Sequence, residues 1–179
     1  MSNFKHIFRL SFTLLVICAL VAAALAGVHA AAGPVIAQRN EEKIRQAVEK
    51  VLPGGGVPLE SFPDDTGLVQ AVYASDTGYA VQVAPSGFGG TIVMMVGVID
   101  NKVHAIDIIS HTETPSLGSV AAADNAKGQA FRDQFVGLYR VLRLKKEGGQ
   151  IDALTSATIT SNAVVTGVNA ALACAEALG

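Results

Sequence analysis

The chain has 179 residues, half of them hydrophobic, with 6% aromatics, no tryptophan and a formal net charge of −2. That length suits one domain with a small appendage. The charge balance excludes a basic nucleic-acid footprint, and the scarcity of aromatics excludes a platform for stacking bases.

Residues 10–38 contain no Asp, Glu, Lys or Arg, and 10–32 form a nearly unbroken apolar run. A membrane-spanning helix needs about 20 such residues. Lys5 and Arg9 precede the run, so the cationic flank puts the N-terminus in the cytoplasm and the bulk of the chain on the outer side. A cleaved signal peptide ending near His29 or Ala31 is the competing reading, and it exports the same bulk. Cys18 lies in the run and Cys174 near the far end. Two cysteines so placed make neither a disulfide framework nor a metal site, and no metal is expected.

Asn40 reads as the N-cap of a helix carrying Ile44, Ala47, Val48 and Val51 at helical spacing, and Pro53 with Gly54–Gly56 stops it. The glycine triplet lacks the Lys-Ser/Thr of a phosphate-binding loop. Residues 68–73, 79–84, 91–99 and 103–110 have strand character. Asp76, Thr77 and Gly78 turn the first pair, and Asp100 with Asn101 suggests a tight hairpin in the second. A polar loop follows at 111–118, then a mixed helical segment at 125–134, a basic strand-like segment at 140–146 and a turn at Gly148 and Gly149. The fold class is α+β: an N-terminal transmembrane helix, then a single exported domain of antiparallel strands with flanking helices. The division is 1–32 for the cytoplasmic N-terminus and anchor, 33–60 for a juxtamembrane helix and linker, and 61–179 for the domain.

Two segments carry chemistry. Hydroxyl residues crowd between Thr155 and Ser161, just before Ala163, Val164, Val168, Ala171, Leu172 and Ala175 repeat at helical spacing. The cluster therefore sits at a helix N-terminus, where unpaired N–H groups favour a phosphate. An ordinary cap by Thr160 or Ser161 accounts for the same pattern. The second segment is Glu113, Thr114, Pro115, Ser116, Leu117 and Gly118, which alone reads as a Pro-kinked turn.

The run Asp152, Ala153, Leu154, Thr155, Ser156, Ala157, Thr158 resembles the flavinylation motif of the FMN-binding domain family, Asp-x-x-Ser/Thr-Gly-Ala-Thr. The 113–118 segment resembles the Glu-Thr-Pro-Gly-Leu-Gly loop of G subunits of Rnf-type ferredoxin:NAD oxidoreductases and of C subunits of sodium-pumping NADH:quinone reductases. The compact length, with His111 just ahead of the loop, favours the Rnf-type relatives. The resemblance implies FMN joined to Thr158 by a phosphoester, attached by a flavin transferase with Asp152 serving the transfer. It implies that Glu113, Thr114, Leu117 and Gly118 border the ring while Thr155, Ser156 and Ala157 hold the phosphate. It further implies an electron-transfer role beside other membrane and peripheral subunits of an ion-translocating complex in the inner membrane, with no catalytic base on this chain. The alternatives are the quinone-reductase subunit, a solitary exported flavin carrier, and a non-redox anchor or assembly subunit. Ser116 and Ser156 stand where both motifs have Gly; a left-handed backbone there makes Ser costly.

Overall fold

The computed structural model describes residues 2–179. They divide into two compact units, Met1–Glu42 and Lys43–Gly179. Helix α1 (Ser2–Val51) runs through the described residues of the first unit and supplies the first element of the second.

In the first unit, Phe12, Leu15, Leu20 and Leu25 are all exposed, and the apolar stretch from Ser11 onward is long enough to cross a membrane. A helix apolar on every side and exposed along this stretch fits a membrane anchor. The expected cap at Asn40 is not formed: α1 runs through it, with Pro34 inside the helix. Ala30–Ala32 and Ala37 are strong helix formers on either side of Gly33 and Pro34, and they carry the helix across.

The second unit is built on a five-stranded antiparallel meander in the order β1 (Val57–Pro58), β2 (Val69–Ser75), β3 (Gly78–Val83), β4 (Val93–Ile99), β5 (Lys102–Ser110). The four main strands match the sequence pattern with ends shifted by a residue or two. Asp100 (φ 53°) and Asn101 (φ 59°) are both left-handed, the type I′ geometry that matches strand twist in a two-residue hairpin. The two-residue β1 escapes the pattern because it is too short to alternate, and its Pro58 is tolerated on an edge.

Both faces of the sheet are covered, so the strands read as continuous apolar runs. Val81, Val83, Met94, Val96 and Val98 face helix α3 (Thr158–Leu178) and its Val164, Val168 and Ala171. Ala80 and Met95, on the opposite side of the pleat, face Ala47, Val48, Val51 and Leu52 at the end of α1. Gly97 permits that second contact: a Cβ there would drive into the Val51 carbonyl oxygen.

Helix α2 (Ala126–Asp133) is capped by Asn125, whose side chain accepts from the N–H groups of Lys127 and Gly128. The basic segment 140–146 is not a strand. Asn169 of α3 takes both backbone groups of Leu142, accepting its N–H at 2.8 Å and donating to its C=O at 2.9 Å. With those groups engaged, only an isolated bridge, Leu144 to Ile151, remains for pairing.

Candidate functional site

Three segments converge on the start of α3. Ala157 precedes the helix without a capping side-chain bond, and the first helical bond runs from the Ser161 N–H to the Ala157 carbonyl at 2.9 Å. The N–H groups of Thr158, Ile159 and Thr160 therefore lack helical partners. The ordinary cap by Thr160 or Ser161 is absent because α3 starts at Thr158 and both residues lie inside its first turn, their hydroxyls engaged elsewhere. Ser161 donates to the Ala157 carbonyl and accepts from the Leu154 N–H, each at 2.9 Å. Thr160 donates to Oε2 of Glu113. Among the described residues, the half-buried Thr158 hydroxyl has no hydrogen-bond partner.

Glu113 is 6% exposed and joins the three segments. Its Oε2 accepts from Thr160, and its Oε1 accepts from the Gly89 N–H at 2.9 Å. The approach is close enough to require glycine around it. A Cβ at Gly118 would lie 2.5 Å from Glu113 Oε2 and 2.6 Å from Thr160 Oγ1, and one at Gly87 would collide with Oε1. Turn geometry alone does not explain the glycines of 87–90: Gly87 is closed in by the Glu113 carboxyl, and Gly89 and Gly90 by the carbonyl and hydroxyl of Thr112. The Glu113 N–H donates to His111 Nδ1 at 3.2 Å, so His111 supports the loop from behind.

Around this junction lies a cleft of about 370 Å³. Thr114, Leu117, Ser156 and Thr158 line it, together with Phe88 and Ile159. Glu113, Gly118, Ala157 and Thr160 complete the wall. Thr155 and Asp152 line instead a neighbouring cleft of about 380 Å³, which shares Leu117 and holds Lys127. Asp152 pairs with Lys145 at 2.5 Å, and its backbone is clasped by the Gln134 side chain at 2.7 and 3.3 Å. Among the described residues no group of three His, Cys, Asp or Glu side chains is placed to hold a metal.

Sequence reasoning missed Phe88 and Ile159, which are 67% and 55% exposed at the cleft. A single Phe between Gly87 and Gly89 was the available signal for the first: an aromatic side chain in a glycine loop has no strand or helix face to pack on. Ser116 (φ 63°) and Ser156 (φ 61°) both adopt the left-handed backbone that glycine tolerates best.

Comparison with known proteins adds two findings. A family model described as "FMN-binding domain" matches residues 87–173, a span that opens at Gly87 and contains every residue lining the cleft. The chain is 33% identical to the G subunit of the proton-translocating ferredoxin:NAD(+) oxidoreductase complex of Clostridium ljungdahlii, over 94% of this chain and 91% of the relative. It is 32% identical to the G subunit of the Na(+)-translocating complex of Acetobacterium woodii, over 93% and 90%. The G subunit of the ion-translocating oxidoreductase complex of Methanosarcina acetivorans is 29% identical, over 96% of both chains.

Proposed function

Because the chain belongs to the family of G subunits of ion-translocating ferredoxin:NAD(+) oxidoreductase complexes, we propose that it is the FMN-carrying electron-transfer subunit of such a complex, with the flavin held covalently on Thr158. The observation that carries the attachment point is the state of the hydroxyls. Thr160 and Ser161 are committed to internal bonds, whereas the Thr158 hydroxyl is half-buried, unpartnered and borders the cleft.

The residues present suit the cofactor. Phe88, Leu117 and Ile159 offer apolar surface for the faces of an isoalloxazine ring. The free N–H groups of Thr158, Ile159 and Thr160, at the positive end of α3, suit a phosphate. FMN supplies the ability to accept and release one or two electrons. The chain's own residues anchor, orient and shield it. Thr158 provides the ester oxygen, Glu113 fixes the loops that form the walls, and Thr114 and Gly118 border the ring. Ser156 and Ala157 flank the phosphate, with Thr155 and Asp152 presenting the segment to a flavin transferase.

In this reading residues 1–32 hold the chain in the membrane, 33–60 link, and 61–179 carry the flavin. Lys5 and Arg9 keep the N-terminus cytoplasmic and place the flavin domain on the outer side, beside the other membrane and peripheral subunits. The chain acts as a redox relay within the complex, and catalysis of the overall reaction belongs to the assembly.

The test is peptide mass spectrometry with in-gel flavin fluorescence on protein purified from membranes that contain its transferase. The expected result is a mass increase of FMN less one water on Thr158, abolished in Thr158→Val and kept in Thr158→Ser. An unmodified Thr158 and a dark band would overturn the reading.

A further inference from the structure

Thr158 and Ile159 also border a further cleft, of about 440 Å³, whose character differs from that of the cleft lined by Phe88. Its wall includes Ser86, Asn162, Thr166 and Lys146. Among the described residues lining the two clefts that meet at Thr158, the only charged side chains are Glu113 and Lys146. Glu113 is engaged with Gly89 and Thr160. We propose that Lys146 is the counter-cation of the phosphodiester formed on Thr158, so that the phosphate lies toward the Lys146 cleft and the ring toward Phe88. The proposal rests on the reading of Thr158 as the attachment point.

The backbone explains why Lys146, rather than the lysine beside it, takes this place. Lys145–Glu147 form a single 3₁₀ turn, in which successive side chains point about 120° apart. Lys145 is turned to Asp152 and paired with it at 2.5 Å. Lys146 lines the cleft, and among the described residues its one ion pair is with the adjacent Glu147 at 4.0 Å, between half-exposed side chains. A pair at that distance and exposure offers little competition. The turn itself is firmly held. Lys145 N–H donates to the Ile151 carbonyl at 2.8 Å, Glu147 N–H to Leu144 at 2.8 Å, and Gly149 N–H to Leu144 at 3.0 Å. Gly149 packs so closely on the Arg143 carbonyl that a Cβ there would overlap it. The position of Lys146 is thus set by backbone bonds that do not depend on the flavin.

A phosphodiester carries one negative charge, and the N–H groups at the start of α3 neutralise only part of it. A flexible lysine amine meets a phosphate as a point charge without demanding bidentate geometry. The Ser86 hydroxyl and the Asn162 amide supply neutral donors around the same cavity, whereas the Thr166 hydroxyl donates to the Asn162 carbonyl at 2.9 Å.

The experiment is competitive acetylation of lysine amines on the full-length protein in detergent, read per lysine by peptide mass spectrometry. Flavinylated protein is compared with the Thr158→Val variant. Lys146 is expected to react several-fold more slowly in the flavinylated protein, while Lys145 and Lys127 react at the same rate in both. Equal Lys146 rates with the adduct present on Thr158 would overturn the proposal and leave the attachment intact. Absence of the adduct would overturn both, and the mass spectrum separates the two failures. As a second readout, Lys146→Gln is expected to shift the ³¹P resonance of the phosphodiester with the circular dichroism of the domain unchanged. An unmoved resonance counts against the contact.

Discussion

The Thr160 hydroxyl donates a hydrogen bond to the Glu113 carboxyl from 47 residues further along the chain, and that bond ties the first turn of α3 to the loop opposite it. The other carboxyl oxygen holds the Gly89 N–H, so one buried side chain fixes the relative positions of all three cleft-forming segments.

Glu113→Ala is therefore expected to leave a buried hydroxyl and a buried N–H without partners, costing roughly 2–3 kcal/mol. Glu113→Gln keeps the shape. Its amide oxygen can accept from Gly89, and its amide nitrogen can donate to Thr160 once that hydroxyl turns, so the loss is about 1 kcal/mol. Thermal unfolding of the full chain in detergent distinguishes these. Equal losses for the two variants would mean that the carboxyl does not organise the junction.

Ser116 and Ser156 sit at φ 63° and 61°. A left-handed backbone costs an L-residue on the order of 1–2 kcal/mol, and replacement by glycine returns part of that to the unfolded chain's greater freedom. Ser116→Gly and Ser156→Gly are each expected to be neutral to about 1 kcal/mol stabilising, and Ser156→Val destabilising by about 1–2 kcal/mol. Melting curves give the order. If Ser156→Val melts at or above the wild type, the strain is not there.

Much of this architecture is legible from the residues. Runs rich in Val, Ile, Tyr and Thr, with the Asp-Asn turn, locate the four main strands, and small apolar residues at helical spacing locate α3. The left-handed serines follow from their alignment with motif glycines. What escapes depends on contacts made across the chain. Nothing local to 140–146 says that Asn169 will take the backbone of Leu142, and nothing near Glu113 says that Thr160 will face it. Lys145 and Lys146 are equivalent as letters, and a 3₁₀ turn separates their surroundings. Asn40 has the look of a cap because its charged neighbours resemble a first turn, but alanines upstream keep the helix continuous.

Gly97 offers a separate test of the face packed by α1. A Cβ at this position collides with the Val51 carbonyl, a rigid backbone group that cannot rotate away. Gly97→Ala is expected to cost about 2–3 kcal/mol through displacement of Val51 and Leu52 from the sheet. Gly54→Ala, at φ 89° with open space around it, is expected to cost only about 1 kcal/mol. Chemical denaturation of both variants in the same detergent compares them, and a Gly97→Ala protein as stable as Gly54→Ala would contradict the close approach.

Asp64 closes the turn that leads into β2 and gives the domain a defined response to acid. Burial pushes its carboxyl up, but the Thr66 hydroxyl and the N–H groups of Thr66, Val69 and Gly67 together hold it below the ordinary value of 3.8. A folded-state value lower than the unfolded one means that ionised Asp64 stabilises the fold. That contribution is fully present above the unfolded value and disappears as pH falls through the folded one. Asp64→Asn keeps one acceptor but loses the charge and the second oxygen that receives Val69. It is expected to lower stability by about 1 kcal/mol near neutral pH, with the difference from wild type shrinking once the pH drops below about 4. Unfolding midpoints measured from pH 7 down to pH 3 check the sign. A difference that grows on acidification would show that the turn is held by something other than the ionised carboxyl.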